Sequence, residues 1–398
     1  MFTFLRTEDN VKAAKDTFYR FLNSSRVNWL RFTTSLAANV INTKIAPLTD
    51  EKRVNVFIVD DTPYERSRSK NVELLSRLYD HSKKVFTRGF RLLTLGWSDG
   101  NTFVPLNFCL LASADAKKRL QEANPIDKRT CGHRQRRLSQ GTAPVAMMSM
   151  ISSALASGLS ATYVLFDSWF STPPNLLAVK KAKLDAIAML RKTSKVHYRY
   201  KGEKLPVTKI FAQSRKRRGR SRYLLSIEAE LLDKNGQPSI PVRLLFVRNR
   251  KKSKEYLVLV STDLAMSEDE IIRLYGKRWS IEVFFKTCKS LLRLTKECQS
   301  ISYDAMTAWV AIVFTRYTML AFLNRVEADD RTAGELFCQA CDELADITLL
   351  EAFHLLMKML EAFASKTLQL FEDDLEMMLN SFVEMLPAPL RKRLFLCA

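Results

Sequence analysis

The segment RVNVFIVDDT, residues 53–62, decides the fold of this chain because it predicts a strand that ends in two carboxylates. Its apolar part is rich in β-branched and aromatic residues and has no helical period, which is typical of a buried strand. Asp60 and Asp61 follow directly. Neighbouring strand residues point to opposite faces of a sheet, so only one of these carboxylates can face a given site. From the residues alone, an ordinary strand-end turn is an equal alternative to a functional cleft.

A second segment repeats this pattern. TYVLFDSWF, residues 162–170, predicts another buried strand, which ends at Asp167. Between the two strands, residues 89–97 and 102–111 predict a hairpin around the turn SDGN. We also expect an amphipathic helix over residues 70–83 and a polar, basic loop over residues 115–140 that is mobile or contacts DNA. The alternation of strands and helices predicts an α/β fold.

The segment LYGKRWSIEVFFKTCKSLL, residues 274–292, predicts one helix with an apolar face beside a polar one. At about 100° per residue, four polar side chains fall within a sector roughly 60° wide: Tyr275, Arg278, Glu282 and Lys289. A lone Glu282 flanked by Arg278 and Lys286 would more simply be a salt-bridged position on a helix. The distinctive spacing of the four residues favours a functional site.

That spacing resembles the YREK signature of the IS4 family of bacterial transposases, which includes the Tn5 and Tn10 enzymes; the resemblance extends over residues 54–300. The family also has two upstream aspartates at strand ends. Its first aspartate precedes Thr or a similar small residue, which selects Asp61 before Thr62 and leaves Asp60 pointing elsewhere. The DSWFS segment resembles the region of its second aspartate, here Asp167.

The resemblance implies a ribonuclease H-like core, a mixed sheet flanked by helices, that gathers three carboxylates from distant parts of the chain. Asp61, Asp167 and Glu282 are then the catalytic residues and the metal ligands. Their oxygen atoms suit Mg²⁺, for which Mn²⁺ can substitute, and two such ions can promote phosphodiester cleavage. The remaining polar side chains of the helix are expected to bind DNA phosphates: Tyr275, Arg278, Lys286 and Lys289.

The composition favours a polyanionic partner. The 398 residues include 63 Lys and Arg against 42 Asp and Glu, a net charge of +21. Such a charge favours nucleic acid, with an anionic membrane surface second. We expect no membrane-spanning helix, because no uninterrupted apolar stretch of about 18 residues is evident. The scattered, odd number of cysteines and the lack of a secretion signal predict a reducing compartment. Together with the resemblance, which implies a bacterial DNA-acting protein, this predicts a cytoplasmic location at the nucleoid.

The chain is expected to divide into five regions. We predict a helical N-terminal region, whose abrupt start suggests that it is incomplete; the resemblance implies that it binds DNA, and a helical lid on the core is an equal alternative. The core is interrupted by a β-rich insertion with three basic runs. A helical C-terminal region is expected to serve dimerisation. The bounds are 1–50 for the N-terminal region, 51–190 and 266–325 for the core, 191–265 for the insertion, and 326–398 for the C-terminal region.

Two functions compete. The first is a cut-and-paste transposase of an insertion sequence, which cuts at terminal inverted repeats and joins the 3′-hydroxyl ends to target DNA within a homodimer. The second is a catalytically inactive or truncated transposase-derived DNA-binding protein. A two-carboxylate glycosidase would also place acids at strand ends, but it would not explain the charge of +21 or the basic insertion.

Overall fold

The computed structural model describes residues 15–50, 53–80, 84–218, 221–233, 235–249 and 255–326, together with Met377 and Ser381. The chain divides into two compact units, and the first, Met1–Asp329, contains every element named below. The predicted C-terminal dimerisation region, residues 326–398, lies almost wholly outside the described residues, as do the first residues of the N-terminal region.

The described helices are α1 Lys15–Leu22, α2 Trp29–Val40, α3 Cys131–Ser139, α4 Ala143–Ala156, α5 Pro173–Lys181, α6 Val207–Gln213, α7 Glu268–Gly276, α8 Trp279–Ser290 and α9 Tyr303–Val326. The strands are β1 Val56–Glu65, β2 Ser76–Asp80, β3 Val85–Ser98, β4 Phe103–Leu111, β5 Tyr163–Phe166, β6 Asp185–Met189, β7 Tyr198–Tyr200, β8 Glu203–Leu205, β9 Tyr223–Leu232, β10 Pro238–Arg248 and β11 Tyr256–Ser261.

The strands form one mixed sheet in the order β2-β3-β1-β5-β6-β11-β10-β9-β7-β8, with β4 paired to β3. Strands β1, β5 and β6 are parallel, whereas β3 and β11 run antiparallel to their neighbours in this centre. The predicted mixed sheet with flanking helices is confirmed and is compatible with a ribonuclease H-like fold. Strands from the predicted insertion continue this sheet, because β11 pairs with β6.

Helices cover both faces of the sheet. Phe57 and Val59 of β1 share a core cluster with Ala37 of α2 and Met147 of α4. Residues of β1 with even numbers point to the opposite face, where α8 packs on β1. There the buried ring of Phe284 lies 4.7–5.1 Å from three aromatic rings, those of Phe103, Phe314 and Tyr317.

The amphipathic helix expected over residues 70–83 is absent from the described part of that segment. Residues 76–80 form β2 instead, with alternating buried and exposed side chains, and pair with β3. Leu74 is buried and has a φ of 60°, a left-handed conformation that a helix cannot contain. Pairing with β3 thus overrides the local helical pattern.

The predicted loop over residues 115–140 contains α3, which packs in the core. Its Arg136 is buried and donates hydrogen bonds to Glu73 at 2.6 and 2.9 Å and to Asp304 at 2.8 and 2.9 Å. The prediction of a mobile loop is therefore wrong for α3. The basic composition was misleading because the acidic partners of Arg136 come from distant parts of the chain.

Within the described residues, one helix, Tyr303–Arg325, is long and apolar enough to cross a membrane by length and composition, which corrects the expectation of no such stretch. Its inner side chains, among them Met306, Val310 and Phe314, are buried within the folded unit. Phe314 packs against Phe108 of β4, with ring centres 5.0 Å apart. These contacts are those of a helix packed in the core of a folded unit.

Candidate active site

The segment predicted as one helix over residues 274–292 forms two helices. α7 ends at Gly276 and α8 begins at Trp279. Lys277 anchors the turn between them, because its Nζ donates hydrogen bonds to the carbonyl oxygens of Val54 and Asp99 at 2.8 and 3.1 Å. Ser267 is the N-cap of α7, because its hydroxyl accepts a hydrogen bond from the Glu270 backbone N–H at 3.3 Å. The turn places Arg278 at the start of α8.

Arg278 joins an acid of the sheet to the acid of the helix. Its Nη1 donates to Asp60 Oδ2 at 2.9 Å, and its Nη2 donates to Glu282 Oε1. Further along the same face of β1, the Thr62 hydroxyl accepts a hydrogen bond from Lys289 Nζ at 2.5 Å. Three of the predicted site residues, Arg278, Glu282 and Lys289, therefore face the end of β1 from α8.

Asp167 and Asp60 follow the last pair of the parallel ladder between β1 and β5, Val59 with Phe166. Strand β1 does not end at the two carboxylates as predicted, because it continues along β3 to Glu65. The Asp167 Oδ1 accepts a hydrogen bond from the Trp169 backbone N–H at 2.8 Å, which fixes its direction. The fold thus places Asp60 near Asp167 and links Asp60 to Glu282 through Arg278.

We call Asp60, Asp167 and Glu282 the acid cluster, and its electrostatics centre on Asp60. Burial raises the pKa of Asp60 from 3.8 to about 7; Arg278 opposes this shift, and the negative charge of Asp167 adds to it. Burial also raises the pKa of Tyr275 to about 12, against the effect of Arg278. The Tyr275 ring lies 6.0 Å from the Arg278 guanidinium, so Tyr275 packs beside the cluster as a neutral phenol.

Asp61, the residue selected from sequence, points to the other face of β1. Its carboxylate accepts hydrogen bonds from Arg91 Nη1 of β3 at 2.9 and 3.0 Å. The expectation that Asp60 points away from Glu282 is corrected, since Asp60 shares a strand face with Thr62 and α8 packs on that face. Val56 to Val59 are all fully buried, so their pattern gave no sign of which face the helix covers.

Two further side chains, those of Lys286 and Trp169, lie at the margin of the acid cluster. Lys286 is exposed on α8, without a described contact to the acids. Trp169, which sequence reasoning did not single out, is 48% exposed and lies between two guanidinium groups, 4.7 Å from that of Arg191 and 5.9 Å from that of Arg91. The sequence did offer one signal for Trp169, which is that it lies two residues after Asp167.

The chemistry of the acids suits a hard divalent cation. Among the residues with described positions, no group of three His, Cys, Asp or Glu is arranged to hold a metal ion, and Arg278 lies between Asp60 and Glu282. Carboxylate oxygens are nevertheless the ligands that Mg²⁺ prefers. A cation would relieve the repulsion between Asp60 and Asp167 that helps to raise the pKa of Asp60. The donor set therefore fits a divalent metal.

The family described as DDE superfamily endonuclease matches residues 4–239, more than half of the chain. The matched region includes Asp60 and Asp61 within β1 and Asp167 directly after β5, whereas α7 and α8 follow it. This protein therefore belongs to the DDE superfamily endonucleases, a family of nucleases and transposases that act on DNA and generally use divalent metals. No curated protein matches the chain.

Proposed function

We propose that this protein is a DDE transposase of the IS4 type. It cuts DNA at the terminal inverted repeats of an insertion sequence and joins the resulting 3′-hydroxyl ends to target DNA. Membership of the DDE family supports DNA cleavage. The observation that carries the proposal is the contact of Arg278 with both Asp60 and Glu282, which links the strand-end acids to the helix with the YREK spacing.

In this proposal Asp60, Asp167 and Glu282 are the catalytic residues and hold Mg²⁺ or Mn²⁺. Asp60 takes the catalytic role that the resemblance gave to Asp61, because Asp60 contacts Arg278 and Asp61 is paired with Arg91. The bound ions would activate the attacking water or hydroxyl and stabilise the leaving oxygen. The chain's own contribution is to hold the three carboxylates at one end of the sheet and to keep Asp60 largely shielded from water.

The basic residues around the acids would bind the DNA. The guanidinium of Arg278 has the planar geometry that binds phosphate through two parallel hydrogen bonds. Lys289 and the exposed Lys286 would add phosphate contacts along α8, and Tyr275 would support Arg278. The net charge of +21 agrees with a DNA partner. A homodimer that pairs two DNA ends, assembled through residues 326–398 in the bacterial cytoplasm, completes the proposal.

The test is Mg²⁺-dependent cleavage of DNA that carries the flanking terminal repeats, with binding measured in parallel. We expect wild type to cleave, and Glu282→Gln to bind equally well without cleaving. Glu297→Gln is the matched control, because Glu297 pairs with Arg293 at 3.7 Å on the surface, away from the acids. Wild type that binds DNA but does not cleave it with Mg²⁺ or Mn²⁺ would favour an inactive DNA-binding protein instead.

A further inference from the structure

A polar groove lies on the sheet face opposite to Asp60. Helices α2, α3 and α4 enclose it, and its volume is about 860 Å³. Ala38 and Met150 in its lining belong to the same core cluster as Phe57 and Val59, which places the groove over that face. Asp60 points away from this cluster toward α8. The groove is therefore separate from the acid cluster.

The lining of the groove carries positive charge and hydrogen-bonding groups. Arg31 of α2 and Arg134 of α3 are both exposed there, and Asn39, Ser149 and Ser153 add amide and hydroxyl groups. The described lining contains no Asp or Glu. The side-chain contact described for Arg134 is with the Cys131 sulfur at 3.3 Å. Such a lining favours an anion over a cation or an apolar ligand.

Gln135 gives an independent sign of a ligand. It lines both the groove and a smaller cavity beside Tyr303, is 6% exposed, and its buried Nε2 has no hydrogen-bond acceptor among the described residues. A buried amide donor without an acceptor is costly for a folded protein. An acceptor oxygen placed in the groove would satisfy this donor and would lie beside the two arginines.

We propose that this groove binds the sugar–phosphate backbone of DNA. Arg31 and Arg134 contact phosphates, and the Gln135 amide donates to a phosphate oxygen. A smaller cavity of about 280 Å³ shares Cys131 with the groove; it is lined by Arg26 and by Arg129, which pairs with Asp127 at 2.8 Å. The choice of DNA rests on the proposed function. The groove adds a second DNA contact on the side of the protein away from the acids.

The first test compares binding of random-sequence duplex DNA at several salt concentrations, since backbone contacts do not depend on sequence. The double variant Arg31→Gln/Arg134→Gln should reduce the slope of log affinity against log salt by about 1.8, the loss of two phosphate contacts. Arg77→Gln/Arg88→Gln is the matched control. It makes the same charge change on exposed register partners of β2 and β3, outside the groove, and should leave the slope nearly unchanged.

The second test is Gln135→Leu, which removes the unsatisfied donor and keeps the buried volume similar. We expect the melting temperature to stay the same or to rise, while DNA affinity falls about tenfold through loss of a hydrogen bond to a charged group. A lower melting temperature with unchanged affinity would make Gln135 a structural residue and overturn its role.

These tests separate the groove from the proposed function. If the arginine double variant keeps the wild-type slope while wild type cleaves DNA, the groove proposal fails and the proposed function stands. If wild type binds DNA without cleaving it, the slope of log affinity against log salt still tests the groove proposal. If wild type does not bind duplex DNA, both proposals fail.

Discussion

Arg136→Met should strongly destabilise the protein, because it leaves two buried carboxylates without their counter-ion. The Arg136 side chain is 5% exposed, and those of Glu73 and Asp304 are 2% and 7% exposed. Burial acts to lower the pKa of the guanidinium, but hydrogen bonds to Asp304 and Glu73 outweigh it and raise that pKa above its ordinary value. Arg136 therefore remains charged and forms an ion pair with each acid.

The magnitude follows from this burial. Removing one partner of a buried ion pair typically costs about 3–5 kcal/mol, a large part of the roughly 5–15 kcal/mol by which a folded protein is stable. Methionine preserves most of the side-chain length and volume, so a loss of packing contributes little. The four hydrogen bonds from Arg136 to the two acids disappear together.

Urea unfolding followed by tryptophan fluorescence measures the effect. At a slope of about 3 kcal/mol per molar urea, the midpoint should fall by at least about 1 M. The triple variant Arg136→Met/Glu73→Gln/Asp304→Asn removes the stranded charges and should recover much of this loss. The reasoning is refuted if Arg136→Met unfolds within about 1 kcal/mol of wild type, or if the triple variant is no more stable than the single one.

Three further predictions concern the elements around the acid cluster. In metal-free buffer, Asp60 should make stability fall as pH rises, by up to about 4 kcal/mol. The reason is that the pKa of Asp60 is about 7 in the folded protein and 3.8 ordinarily. Between these two pH values the folded state therefore binds more protons than the unfolded state. Urea titrations at each pH should show this slope in wild type and a smaller one in Asp60→Asn. Phe284→Ala should cost about 3–5 kcal/mol in thermal unfolding, and Phe284→Leu clearly less, because the ring packs against three others beneath α8. Ser267→Ala should cost about 1 kcal/mol by removing the N-cap of α7; Ser267→Asp, which can still accept the Glu270 N–H, should not.

The sequence predicted the central strands well because their apolar runs are short and lack a helical period. Strands β1 and β5 and the hairpin of β3 and β4 form where their patterns indicated, although β1 continues past its two acids to Glu65. Asp60 and Asp167 could be recognised because each follows the apolar run with which β1 and β5 pair in parallel. These features are local, or depend on one simple rule of strand order.

The features that escaped prediction depend on long-range contacts. The choice between Asp60 and Asp61 required knowing which face of β1 carries α8. The break between α7 and α8 is anchored by Lys277 through carbonyl oxygens of Val54 and Asp99, far away in the sequence. Likewise, Arg136 looked like part of a solvated basic segment because its partners Glu73 and Asp304 are distant.

The most direct test of the proposed site is Mg²⁺-dependent cleavage of DNA with the terminal repeats by Asp60→Asn and Asp61→Asn. Both variants remove one negative charge at adjacent positions of β1. Asp60 contacts Arg278 beside Asp167 and Glu282, whereas Asp61 pairs with Arg91 on the other face. We predict that Asp60→Asn abolishes cleavage and that Asp61→Asn retains it. Cleavage by Asp60→Asn together with loss of cleavage in Asp61→Asn would contradict the site proposed here.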